Sequence, residues 1–270
     1  MALIEVRDIA FSYRRLEVLN SVDLDIREGA VTALLGPNGS GKTTLLKLLI
    51  GLLKPTRGNV HLNGADIRTL GHREVARQMA YVPQMHKEAF AYRVVDVVLM
   101  GRMPHKGFFS PYSATDRQIA SEALEKLGIV RLAEQPYTEI SGGERQLTLI
   151  ARAMTQGARV FVMDEPTNGL DYGNQIRLLE RLKGLAADGY TFVFSTHHPD
   201  HAMAVADRVV MMRGGSITHD GTVIETINSK NLLELYSVDV RLCPIEPGVS
   251  VCIPALRWEH AARHPAQNTL

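Results

Sequence analysis

Apolar and polar residues alternate with period two from residue 3 to residue 27, most clearly in Val22-Asp23-Leu24-Asp25-Ile26. That alternation predicts antiparallel strands with one face buried. Val31-Thr32-Ala33-Leu34-Leu35 is instead almost unbroken in hydrophobicity, and a second apolar run, Leu45-Leu46-Lys47-Leu48-Leu49-Ile50, follows a glycine-rich interval. Strand, tight loop and helix are predicted in that order. The chain breaks at Lys54-Pro55-Thr56-Arg57-Gly58, and short strands are predicted at 59–64 and 79–83. Helical spacing appears at 94–100 and 116–127, the latter with Ile119, Ala123, Leu124 and Leu127 apolar. A block of helices over 86–156 is therefore expected as an insertion in an α/β core. Val160-Phe161-Val162-Met163 reads as a fully buried strand and 175–186 as a helix, with Ile176, Leu178, Leu179, Leu182 and Leu185 on one face. A strand at 191–196 comes next, and 203–212 and the stretch from Gly221 predict a further helix, strand and turn. Beyond Ser237 the chain carries Pro244, Pro247, Pro254 and Pro265 without long periodicity, and its last dozen residues are expected to be disordered.

Composition changes this picture little. The 270 residues are 45% hydrophobic and 22% charged, so a packed core of one large domain, or of a core with an insert, is expected. A formal charge of +1 gives no footprint for nucleic acid. Acidic residues in the first eight positions argue against a signal peptide, and no stretch approaches the roughly 20 apolar residues of a membrane span. A soluble chain is expected, held at a membrane only through a partner. Cys243 and Cys252 match no zinc or redox spacing and are read as reduced thiols of a cytosolic protein.

The chemistry is concentrated in three places. Gly36-Pro37-Asn38-Gly39-Ser40-Gly41-Lys42-Thr43-Thr44, between its strand and its helix, is a phosphate loop. Its glycines let backbone N–H groups converge on an anion, the helix start adds its dipole, Lys42 reaches the outer phosphates and the Thr43 hydroxyl ligates Mg²⁺. Ser141-Gly142-Gly143-Glu144 is a capping box opening a helix. Two glycines in its first turn cost about 1 kcal/mol each relative to alanine, and what they offer is bare backbone N–H groups that an anion can approach. Asp164 and Glu165 end the buried strand, where ligands of parallel sheets bind. Because successive strand residues face opposite ways, one is expected to hold the Mg²⁺ shell and the other to face the attacking water. His197 ends the next strand on the same sheet edge. Tyr13 is either a strand aromatic packed on a neighbour or a ring for nucleobase stacking. Gln84, at a strand tip, is placed to ligate a cation or position water. The aromatics of 107–112 either pack internally or touch a partner.

These motifs, in this order over roughly residues 3–240, resemble the ATP-binding subunits of ABC transporters. The serine-glycine-glycine signature between the phosphate loop and the Asp-Glu strand is the most specific part of the match. The resemblance implies an ABC ATPase fold, a P-loop NTPase core with an antiparallel β subdomain and the inserted helical subdomain, over 1–240, with 241–270 as a C-terminal extension. It implies ATP and Mg²⁺ as ligands and hydrolysis of ATP as the activity. Tyr13 then stacks the adenine, 36–44 cradles the phosphates, and Gln84 senses the γ-phosphate and Mg²⁺. Thr43 and Asp164 hold the metal, Glu165 polarises the water, Asp171 lies in the loop between subunits and His197 contacts the γ-phosphate. Two copies are implied to pair head to tail, so that Ser141, Gly142 and Gly143 of one close over the nucleotide of the other.

Two integral-membrane permease subunits, and indirectly a periplasmic or surface solute-binding protein, are the implied partners. The implied location is the cytoplasmic face of the cell membrane. Asp96-Val97-Val98, Gly101-Arg102-Met103-Pro104, Asn174-Gln175 and Thr196-His197-His198-Pro199-Asp200-His201-Ala202 look most like importers of iron-siderophore, haem and cobalamin, with molybdate importers close behind. The chain departs from the family in two places. Glu144 stands where glutamine is usual, and its capping role is expected to turn it away from nucleotide; Asn168-Gly169 replaces the usual Ser-Ala before Leu170-Asp171. A soluble ABC-type ATPase is the rival class, although no sustained heptads separate the phosphate loop from the signature.

Overall fold

A computed structural model describes residues 2–84, 91–107, 110–246 and 249–255, without the side chains of Glu246 and Val249. The alternating N-terminal segment forms β1 (Ala2–Tyr13) and β2 (Leu16–Arg27), paired antiparallel. The apolar run after them is β3 (Val31–Leu35), and the glycine-rich loop leads into α1 (Lys42–Leu49). β4 (Arg57–Leu62) and β5 (Ala65–Asp66) then join the first two strands in an antiparallel sheet of order β2-β1-β4-β5. Alternate residues of it, among them Ile4, Val6, Leu24, Ile26, Val60 and Leu62, are buried, as period-two patterning requires.

α2 (His72–Gln78) leads to β6 (Met79–Val82). Three helices follow: α3 (Val94–Leu99), α4 (Ala114–Lys126) and α5 (Gly142–Thr155). The helix expected over 94–100 ends at Leu99 and tightens into a 3₁₀ segment through His105, with Pro104 inside it; a proline lacks the N–H that an α-helix needs there. α4 starts two residues earlier than its apolar spacing suggested, because Ser113 caps it and Asp116 completes the box. Phe108 and Phe109 lie outside the described residues, while Tyr112 packs against the core beneath the Lys106 ammonium.

Next come β7 (Val160–Met163), α6 (Tyr172–Ala187), β8 (Thr191–Thr196), α7 (Pro199–Val205), β9 (Arg208–Arg213), β10 (Ser216–Thr222), α8 (Val223–Thr226) and α9 (Ser229–Tyr236). The second sheet runs β10-β9-β3-β8-β7-β6, parallel except for β10. Its central strands are buried on both faces, and their alternate residues feed two different cores. Phe161, Met163, Phe192 and Phe194 pack with the helices, whereas Val160, Val162 and Val193 pack with α1 and the antiparallel sheet. Full burial of each such side chain contributes about 1.5–3 kcal/mol. This double burial holds the C-terminal ends of β3, β7 and β8 side by side, where the chemistry sits.

The tail contains structure that its periodicity did not signal. β11 (Val240–Glu246) and β12 (Val249–Pro254) form an antiparallel hairpin that packs against α7 and α9. Cys243 and Cys252 are free thiols on it. The last dozen residues lie outside the described residues.

Candidate nucleotide site

The loop after β3 turns where a side chain would not fit. A Cβ on Gly36 would overlap the Met212 carbonyl oxygen, and Gly41, at φ +101°, would put one 2.6 Å from Leu19. Gly39, at φ +79°, has open space around it and leaves the loop backbone bare. α1 starts at Lys42 with no side chain capping its first turn, so those N–H groups remain for an anion. The Lys42 ammonium is buried and donates to the carbonyl oxygens of Gly36 (2.7 Å) and Pro37 (2.9 Å). Burial lowers its pKa, an effect opposed by Glu165 and Asp164. Ser40 adds a buried hydroxyl without a hydrogen-bond partner among the described residues. A buried cation, bare N–H groups and an orphaned hydroxyl in one loop fit a polyphosphate. Asn38, Gly39 and Thr43 are exposed, Pro37 is half-buried and Thr44 is buried.

Asp164 and Glu165 diverge at the end of β7. The Asp164 N–H still bonds to Val82 across the sheet (2.9 Å). Its carboxylate accepts from the hydroxyls of Thr43 (3.0 Å), Ser195 (2.7 Å) and Tyr81 (3.4 Å). Glu165 then takes a left-handed backbone conformation, φ +42°, and donates its N–H to Ser195 Oγ at 2.9 Å. The separation of the two carboxylates therefore comes from a turn just past the strand as well as from pleat alternation. Glu165 Oε1 lies 3.2 Å from His197 Nδ1, and Oε2 accepts from Asn168 Nδ2 at 3.2 Å.

Gln84 is half-buried just past the end of β6, the strand that pairs with β7. Tyr13 ends β1 opposite Leu16, is 45% exposed, and has its ring edge-on to Phe11 at 4.8 Å. Farther along the same hairpin, Leu19 is the side chain that Gly41 approaches.

Ser141, Gly142 and Gly143 are at the start of α5, and the capping box forms. Ser141 Oγ donates to Glu144 Oε2 at 2.8 Å, and Arg131 pairs with Glu144 Oε1 at 2.7 Å. The Ser141 backbone N–H first, then its hydroxyl and Arg131, lower the Glu144 pKa. This end of α5 lines a cleft of about 510 Å³ with Arg131, Asn174, Arg177 and Arg181, and no residue of the 36–44 loop is in its wall. Gly143 has a packing reason as well: a Cβ there would come 2.8 Å from Asn174. Asp171 caps α6 through the Asn174 N–H.

Sequence patterns did not single out Ser195, which bridges Asp164 and the Glu165 backbone, or the pair Thr167 and His201, whose Oγ1 and Nδ1 are 3.1 Å apart in the interior. Ser195 was visible only as a polar residue within an apolar strand. The rings of His197 and His198 stand 4.1 Å apart, those of His198 and His201 4.7 Å.

A phosphate loop on a doubly covered parallel sheet, with Thr43, Asp164, Glu165 and His197 converging at its strand ends, defines a nucleotide-hydrolysing P-loop protein. Residues 19–168 match the family model described as ABC transporter, and the chain belongs to that family, as one of its ATP-hydrolysing cassettes. It is 36% identical to an uncharacterised ABC transporter ATP-binding protein of Haemophilus influenzae, over 89% of this chain and 91% of that one. It is 35% identical to the molybdate import ATP-binding protein MolC of the same organism (86% and 87% covered), and 30% identical to the iron(3+)-hydroxamate import ATP-binding protein FhuC of Bacillus subtilis (90% of each). An inward-facing metal-chelate type ABC transporter aligns with a TM-score of 0.83 at 31% identity, covering 94% of this chain and 98% of that one. A dimeric, post-hydrolysis ATP-binding cassette bound to ADP and Pi aligns at 0.70 and 25% identity (82% and 98%). No helix among the described residues is long and apolar enough to cross a membrane.

Proposed function

We propose that this chain is the ATP-hydrolysing subunit of an importer for metal chelates of the iron-siderophore, haem or cobalamin type. It acts as a homodimer bound to two integral-membrane permeases on the cytoplasmic face of the membrane, with a solute-binding protein delivering the chelate. Residues 1–240 form the ATPase unit and 86–156 its helical insertion. The chelate assignment rests on the metal-chelate type transporter among the structural neighbours and on the iron-hydroxamate relative. The molybdate relative supports the second reading, a molybdate importer.

The mechanism rests on one juxtaposition, Thr43 against Asp164 with Glu165 against His197 beside it. Lys42 leaves the Gly36 and Pro37 carbonyls and moves its donors to the outer phosphates, while Tyr13 stacks the adenine. The Thr43 hydroxyl and Asp164 carboxylate are hard oxygen donors that fit Mg²⁺. Among the described residues no group of three acidic, cysteine or histidine side chains could hold a metal; water and phosphate would complete the set, as is usual for this ion. When bound, Mg²⁺ neutralises charge on the phosphate oxygens. Gln84, just past the end of β6, would be the further residue to hold the same ion. Glu165 accepts a hydrogen bond from the attacking water and aligns it, and His197 donates to the γ-phosphate while holding Glu165. The N–H groups of Gly142 and Gly143, with Ser141, reach that phosphate from the second copy.

Glu165→Gln keeps the shape of this site and removes the charge that orients water. It should bind ATP, form a stable ATP-dependent dimer and lose hydrolysis by about 10²-fold or more. Chromatography with ATP and phosphate release measure this, and wild-type turnover would refute the assignment. Co-purification with a permease from detergent-solubilised membranes tests the transporter reading, and ferric-siderophore against molybdate uptake by the assembled complex tests the solute.

A further inference from the structure

His197 is held from behind as well as from the side of Glu165. Its carbonyl oxygen accepts a hydrogen bond from the Tyr236 hydroxyl at 3.0 Å. Tyr236 is the last residue of α9 and half-buried. Burial raises its phenol pKa, which keeps the hydroxyl a donor. At the next residue, Ser237, the backbone turns left-handed (φ +57°) and leaves the helix for the C-terminal hairpin. That hairpin comes back to the same place: the Cys252 N–H on β12 donates to Asp200 Oδ1 at 3.1 Å. Leu242 and Cys252, opposite each other in the hairpin, pack against the helical core. Two anchors, one at His197 and one at Asp200, thus bracket the four residues that carry the chain from β8 into α7.

We propose that Tyr236 and the β11–β12 hairpin are a positioning element for ATP hydrolysis, fixing the backbone of 197–200 so that the His197 ring stays against Glu165. The inference rests on the reading of Glu165 and His197 given above. Tyr236 acts through His197 and the hairpin through Asp200, as positioning groups. The carbonyl and the ring of His197 are attached to the same Cα, so holding one limits where the other can point. Without the hydroxyl the carbonyl is free to rotate, and the Nδ1 to Oε1 contact is populated for less of the time. The effect falls on turnover because the phosphate loop, which binds ATP, is built from β3 and α1.

The test is Tyr236→Phe in the full-length chain. Losing one hydrogen bond of this kind should lower kcat about fivefold, with the KM for ATP and nucleotide binding by the monomer unchanged. Asp200→Ala, which releases the hairpin and leaves Tyr236 in place, should lower kcat in the same way. The His197 ring nitrogens, followed by ¹⁵N NMR, should shift in Tyr236→Phe. In a His197→Ala background, adding Tyr236→Phe should change single-turnover hydrolysis by less than about twofold, since the coupling partner is gone. Wild-type kcat in Tyr236→Phe and Asp200→Ala, or unshifted His197 ring signals, would overturn the inference. A full fivefold loss in the His197→Ala background would also do so, because Tyr236 would then act elsewhere. If His197→Ala itself turned over normally, the role of His197 would fall first.

Discussion

Glu165 is tied to His201 through the turn that also carries Thr167. Glu165 sits in a left-handed conformation that a non-glycine residue adopts at a cost of order 1–3 kcal/mol. The turn that carries it is secured inside the protein, where Thr167 meets His201. His201 is 9% exposed, and its pKa is pushed down to about 4, by burial first and then by the His198 ring, with Asp200 opposing and His197 adding a little. In the unfolded chain the same group titrates near 6.5. Between about pH 6.5 and pH 4 the unfolded state therefore binds more protons, so stability is complete above that window and falls as pH drops through it. The Tm of the wild-type protein should decline through this window more steeply than that of His201→Gln, and parallel curves would show that His201 is not a source of the decline. Thr167 and His201 are 34 positions apart, so nothing local in the sequence announces their pairing. Lys42, Thr43, Asp164 and Glu165 were legible because each stands in a short motif whose flanking strand or helix fixes its place.

At the scale of elements, legibility followed burial. β7 and β8 are apolar on both faces and could be read directly, since a buried parallel strand permits little else. The β11–β12 hairpin could not. It is two-stranded, Pro244 and Pro254 interrupt its alternation, and its apolar contacts are with α7 and α9 rather than with a long sheet. The start of α4 illustrates how much a cap can carry. Asp116 is buried, bonds to the Ser113 N–H and hydroxyl, and pairs with Arg102 and Lys106, both at 2.9 Å. Lys106 first, then the Ser113 N–H and Arg102, hold its carboxyl well below the usual carboxylate range. Asp116→Asn would leave two largely buried cations facing a neutral amide and should destabilise the protein by about 3 kcal/mol. Urea denaturation measures this, and a loss below about 1 kcal/mol, the worth of an exposed pair, would mean that solvent screens the cluster. Because α4 packs on α3 and α5, the same variant should loosen the helical layer more than the phosphate loop.

For the whole molecule, the open question is why a chain should carry both a complete phosphate cradle and a second anion-ready helix start. Among the described residues α5 packs against α3, the 3₁₀ segment after it, α4, β6 and α6, and its first turn opens on a cleft walled by Arg131, Arg177 and Arg181, not on the loop of Lys42. On the reading proposed above, two copies in head-to-tail symmetry would use both, each phosphate loop being closed by the other copy's Ser141 to Gly143. That arrangement makes a prediction that no single-chain site shares. Lys42→Ala removes the phosphate loop's cation and keeps its signature; Ser141→Arg blocks the signature and keeps the loop. Each variant alone should be inactive as a homodimer, with both of its sites broken. A heterodimer of the two joins the intact Lys42 of one chain to the intact Ser141 of the other and has one working site. An equal mixture, with random pairing, should therefore recover up to about a quarter of wild-type ATPase activity, and less if the two sites must fire together. If the mixture stays as inactive as its components while size-exclusion chromatography shows heterodimers, the site is complete within one chain, and the signature helix has some other use.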